Sequence, residues 1–166
     1  MRIISIFCFI LFVAVKANAQ VTPAQTMTLA VKYANGDDRG YPRSPFIGGI
    51  TSEDDALSIS AVKPDALFEG ATGQERVTAS TGKRLIVISK NYEKLEDADK
   101  DIDEMMAAVI KIYPGAQAIP QTPANGSIES KAVGVEYGTF VFAVLYNVSK
   151  SGDAAQPFKL RVLLNR

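Results

Sequence analysis

Leu85-Ile86-Val87-Ile88, running through Ser89 to Tyr92 and on from Leu95 to Tyr113-Pro114-Gly115, is the stretch whose reading decides the fold. The four aliphatic residues read as a buried strand. After them Leu95, Ala98, Ile102, Met105, Val109 and Ile112 recur at steps of three and four. That spacing places them on one face of a helix over about residues 92–113. Each large member contributes about 1.5–3 kcal/mol when fully buried, so the helix is expected to form a main wall of the core. Asn91 or Ser89 is the expected cap. Glu93, Glu96, Asp97 and Asp99 near the start and Lys111 near the end suit the helix dipole. Pro114 lacks an N–H and Gly115 tolerates a left-handed turn, so the helix stops there.

Working outward, Gln74 to Ser80 and Lys83 to Ser89 read as a hairpin around Thr81-Gly82. Ahead of it Ala56 to Val62 reads as a strand with Leu57, Ile59 and Ala61 on one side and Ser58 and Ser60 on the other. Pro64 opens a helical turn that Gly70 closes. Tyr41 to Thr51, with Pro42, Pro45, Gly48 and Gly49, is expected to be a loop. Met27, Leu29, Val31 and Tyr33 alternate with Thr28, Ala30 and Lys32, the period of a strand with one wet face, after a loose lead-in from Gln20 to Thr26. Beyond the helix, Ala116 to Gly126 reads as a connection. Ile128 to Tyr137, Thr139 to Val148 and Phe158 to Leu164 read as a meander. Its middle strand is apolar on both sides, the mark of a strand covered on both faces. No internal repeat is visible.

These elements predict an α+β domain: an antiparallel sheet of about five to seven strands, one principal helix packed on it, and a C-terminal β-meander. The order of hairpin, long helix and meander resembles that of PsbP and Mog1-like proteins. The likeness is one of element order, and it implies no functional residue here.

At the start, Arg2 precedes an apolar run from Ile3 to Val15, and Ala17-Asn18-Ala19 offers the small-x-small pattern of a cleavage site. Residues 1–19 are therefore expected to be a signal peptide and 20–166 a single domain, secreted or periplasmic, without a stable membrane span after cleavage. Removing 19 of 166 residues leaves 147, a comfortable size for one core. Removing Arg2 and Lys16 from the 18 basic residues leaves 16 against 18 acidic, a net charge of −2. No stretch is basic enough to suggest a nucleic-acid partner.

The chemistry is bounded by absences. The chain holds no histidine, and its one cysteine, Cys8, lies in the leader. Thiol nucleophiles, Ser-His-Asp triads and His or Cys metal sites are excluded. Asp97, Asp99, Asp101 and Asp103 alternate like calcium ligands. An EF-hand loop there would need glycine where Ile102 stands and glutamate where Ala108 stands, so a solvated helix face is the expectation. Gly82-Lys83 lacks the earlier glycine of a phosphate loop, because Val77 occupies that position. No catalytic residue, metal or cofactor is expected.

The reading that remains is an exported, non-catalytic binding or accessory module, whose partner is a protein or small ligand. Tyr41, Arg43 and Phe46 are candidate partner contacts, against the preferred alternative that Phe46 and Ile47 pin the loop to the core. A histidine-free, carboxylate-dependent hydrolase is the first alternative. Ser89-Lys90 and Ser149-Lys150 are weak Ser-Lys candidates, since neighbours on a strand face opposite ways. A ligand carrier with a pocket lined by Met105 and Met106 is the second. Two sequons, Asn125-Gly126-Ser127 and Asn147-Val148-Ser149, are expected to be exposed, Asn125 the more so.

Overall fold

A computed structural model describes residues 20–36, 44–123, 125–137 and 140–165, with backbone alone for 135–137 and 140–142. The expected leader, 1–19, lies outside them. Two helices, not one, pack on a single face of an eight-stranded antiparallel sheet.

The first correction concerns Met27 to Tyr33, which is helical. Helix α1 spans Pro23–Asn35. Thr22 Oγ1 accepts from the Gln25 N–H while Gln25 Oε1 accepts from the Thr22 N–H, a reciprocal cap. Pro23 sits where a missing N–H costs nothing, and Gly36, at φ 95°, closes the far end in a left-handed turn. The inward set is Met27, Ala30, Val31 and Ala34, a three-and-four rhythm. Small Ala30 is buried among the large residues, and ignoring it produced the false period of two.

Helix α2 spans Leu95–Ile112, with Ala98, Ile102, Met105 and Val109 buried and Leu95 and Ile112 packed at the margin. The face was legible; the start was not. Lys94 is the cap residue and makes no side-chain cap bond. Asn91 and Ser89 are unavailable because strand pairing continues through Tyr92.

The strands are β1 (Ile47–Glu53), β2 (Leu57–Val62), β3 (Thr72–Thr78), β4 (Arg84–Tyr92), β5 (Gln117–Pro120), β6 (Ser127–Tyr137), β7 (Phe140–Lys150) and β8 (Phe158–Asn165). Their order is β1-β2-β3-β4-β8-β7-β6-β5. Helix plus four strands thus occurs twice, and β4 meets β8 antiparallel along the seam. This repeat is one of topology, with no counterpart in the sequence. The two strands not expected, β1 and β5, are the edges. Gly48-Gly49 and two register shifts disguise β1, and β5 is four exposed residues ending in Pro120. Irregular or short, proline-bearing edges resist pairing with other chains.

One continuous core lies between helices and sheet. Its near wall includes Ile86, Ile88, Val144, Tyr146, Leu160 and Val162. Gly73 in β3 is required by packing: a Cβ there would come within 2.8 Å of the Val62 side chain.

Polar anchors fasten the helices to this wall. Tyr33 Oη donates to both oxygens of buried Glu75, at 3.0 and 2.9 Å, and Arg84 Nη1 completes the group at 2.9 Å. Burial, and then the Glu75 carboxylate, push the Tyr33 hydroxyl up to about 12. On α2, Asp101 accepts from Tyr92 Oη at 2.8 Å and pairs with Lys90 at 3.2 Å. The Lys90 ammonium also lies over the Phe68 and Tyr92 rings. Lys131 of β6 pairs with Asp99, Asp103 and Glu129. The acidic face expected to be solvated therefore ties α2 to the sheet through Asp99, Asp101 and Asp103.

Candidate functional site on the open sheet face

The helices cover one face of the sheet, and strand alternation sends every second side chain to the other. In β8, Leu160, Val162 and Leu164 enter the core while Lys159, Arg161 and Leu163 stand on the open face. In β4 the corresponding residues are Leu85, Val87 and Ser89, and in β3 Thr72, Gln74 and Arg76. The expectation that the middle meander strand is covered on both faces holds for one side only. Val144, Tyr146 and Val148 are buried under the helices, whereas Leu145 on the open side is half-buried. In β2 the expected alternation holds, and it is the serine side that faces the helices. Ser60 and Val62 are buried toward the helices, and Leu57, Ile59 and Ala61 lie half-buried on the open side.

A cleft of about 650 Å³ occupies the centre of this open face. Register fixes its layout. Thr72 pairs with Ser89, Ser89 with Arg161 and Arg161 with Asn147, giving a polar row across four strands. Two residues further along the strands, Gln74, Val87, Leu163 and Leu145 make a mainly aliphatic row. Before the polar row, Lys159 stands between Asn91 and Ser149. Asn125, Gly126 and Ser127, from the turn into β6, wall one side.

The electrostatics of the cleft are one-sided. Among the described residues Arg76, Lys159 and Arg161 line it, no carboxylate does, and none of the three joins a salt bridge. Lys159 and Arg161 are two residues apart on one side of a strand, about 7 Å. Arg76 is two strands over and four residues along, roughly 16 Å from Arg161. With the Gln74 amide turned to its better orientation, its oxygen accepts from Arg76 Nε at 2.8 Å and so holds that guanidinium. Ser130 Oγ donates to Asn147 Oδ1 at 2.8 Å, fixing the Asn147 amide within the polar row. A second groove of similar volume lies between the helices, lined by Ala24, Ala107, Ala108 and Ile112 with Glu104 and Lys111 at its rim. It has no comparable group of like charges.

The residues named from sequence are not brought together. Tyr41 and Arg43 lie outside the described residues. Phe46 is fully buried, its ring centroid 5.7 Å from that of Tyr33, so it is core and offers no surface to a partner. The Ser-Lys pairs do not form dyads. Ser89 lines the cleft, while Lys90 is on the opposite face with Asp101. Ser149 lines the cleft, while Lys150, the next residue of β7, is exposed and outside the cleft lining, as alternation along a strand requires. Met105 is core filling. Both sequons reach the cleft: Asn125 is exposed in its turn, and Asn147 is half-buried within β7 rather than at its end.

The signal that could have found the cleft was partial. Lys159 and Arg161 alternate with core residues in β8, and Thr72, Gln74 and Arg76 do the same in β3. Only the sheet order makes those two sets neighbours across β4.

Fold and cleft together define an α+β domain that presents an open, cationic sheet face. Among the described residues no helix is long and apolar enough to cross a membrane. Comparison with protein-family models, curated proteins and solved structures found no match. The likeness in element order to PsbP and Mog1-like proteins gains no support from them.

Proposed function

We propose that the protein is an exported, non-catalytic binding module and that it meets its ligand on the open sheet face. The observation that carries this reading is the cleft lined by Arg76, Lys159 and Arg161 without a compensating carboxylate among the described residues. Like charges gathered in one concavity repel one another, and an anion placed among them relieves that repulsion. The aliphatic row beside them adds the apolar contact typical of binding sites. Export rests on the leader-like residues 1–19. Tyr41 and Arg43 remain candidate contacts; Phe46 does not share that role, because it is core. The hydrolase alternative is less well supported, since the cleft holds no carboxylate and neither Ser-Lys pair converges.

Amine acetylation tests the surface without knowledge of the ligand. Lys159 is compared with the exposed helix residues Lys32 and Lys100, once on purified protein and once in the native exported fraction. The expected outcome is selective protection of Lys159 in the native fraction. Equal labelling of all three lysines in both preparations would place the contact surface elsewhere.

A further inference from the structure

Resting on that reading, we propose that the ligand of the cleft is an acidic saccharide chain, its carboxylate or sulfate groups held by Lys159, Arg161 and Arg76 and its hydroxyls by the amides and hydroxyls around them. The cations alone call for an anion of any kind; the remaining side chains narrow the class. Thr72, Ser89, Ser127 and Ser149 supply hydroxyls, and Gln74, Asn125 and Asn147 supply amides. The Gln74 and Asn147 oxygens already accept from Arg76 and Ser130, leaving their N–H groups to donate, while Asn125 and the hydroxyls can both donate and accept. A bare oxyanion needs donors only, and Arg and Lys provide them. A lining that also accepts is matched to a ligand that donates, which is what sugar hydroxyls do.

Other anions fit less well. Among the described residues no aromatic side chain lines the cleft, so single-stranded nucleic acid would lack the stacking that dominates its recognition. A duplex engages about six to ten phosphates in tight complexes, and three cations at roughly 7 and 16 Å separations offer few such contacts. A bilayer surface is broad and flat, whereas these cations sit in a concavity walled by Asn125 to Ser127. The cleft runs across β3, β4, β8 and β7 to the β6 turn, roughly 15–20 Å, and it accommodates a short stretch of extended chain. Leu163 and Val87 beneath it suit the C–H faces of sugar rings. The two ends of the charge pattern, Arg76 and the Lys159–Arg161 pair, would then meet acidic groups several sugar residues apart along the chain.

The test is titration of the purified mature chain with a short oligogalacturonate, a chondroitin sulfate oligosaccharide and neutral dextran. Expected is saturable binding of at least one acidic chain, weakening as salt rises, with none of dextran. Lys159→Gln combined with Arg161→Gln should weaken that binding about tenfold or more while circular dichroism and melting stay those of the parent, because both side chains leave the core untouched. Lys159→Arg should retain most of it. Failure to bind either acidic chain would overturn the saccharide assignment, as would undiminished binding by the double variant. Tighter binding of duplex DNA or of phosphatidylglycerol vesicles by the same face would do so too. If Lys159 is protected in the native fraction but neither saccharide binds, the ligand class is wrong and the face stands; if Lys159 is not protected either, both fail together.

Discussion

The two faces of the sheet are built from the same strands yet follow opposite rules. Under the helices, Ile86, Ile88, Leu160 and Val162 are almost wholly excluded from solvent, and each charged group there, Glu75, Lys90 or Asp101, has an opposite partner. One residue along each strand, the open face holds half-buried Val87 and Leu163 and cations that have no ion pair among the described residues. A buried charge without a partner is costly, so the covered face had to pair its charges. Cations at the solvated face bear no such cost, and their clustering there does not serve stability. The contrast separates what holds this fold together from what is left to act on something else.

Truncation in the covered layer should have the largest effect. Ile102→Ala or Val109→Ala leaves a cavity in a packed core and is expected to cost about 2–5 kcal/mol. Leu163→Ala on the open face should cost clearly less, since the side chain is half-exposed already. Denaturant melts of the three variants decide it; equal losses would mean that the open face is part of the structural core.

Next come the anchors of α2. Asp101→Ala removes the acceptor of Tyr92 Oη and the partner of Lys90, and an expected loss of about 1–3 kcal/mol follows from stranding them. Asp97→Ala, an exposed position on the same helix, should cost under about 0.5 kcal/mol. This departs from the uniform solvated face that sequence alone predicts. Similar small losses at both would restore that picture.

Alkaline pH probes the covered face from another side. Tyr33 carries a folded-state pKa raised from 10.0 to about 12, through burial and then the Glu75 carboxylate. Burial, with hydrogen bonding to Asp101, raises that of Tyr92 as well. An unfolded chain loses these protons first, so stability is whole below pH 10.0 and declines toward pH 12. Tyr33→Phe should flatten part of that decline. A melting curve insensitive to pH across this window would contradict the buried anchors.

The smallest expected effect on stability is at the cleft. Arg161→Gln or Arg76→Gln should change it by no more than about 0.5 kcal/mol, because among the described residues neither side chain has an ion pair to lose. A loss of 2 kcal/mol or more, read by denaturant titration, would make the cations structural and erase the distinction between the faces.

The sequence by itself determined the α+β class, the apolar face of α2, the β3–β4 hairpin and the strands of the meander. It also excluded histidine chemistry, because the sequence holds no histidine. Each of these rests on residues close in the chain, where period, turn chemistry or simple absence is decisive. It misread α1, because an alternating run with alanine in its gaps fits two periods and only the cap at Thr22 and Gln25 separates them. It missed β1 and β5 because edge strands carry little apolar signal. Which face of each strand is covered, and that Arg76 and Arg161 share one cleft, depends on the order β3-β4-β8-β7. That order pairs β4 with β8, residues some seventy positions apart, through backbone hydrogen bonds that any side chains permit. No local pattern encodes such a pairing. Only the tertiary structure shows that cations scattered along the chain stand together on a face the helices leave bare.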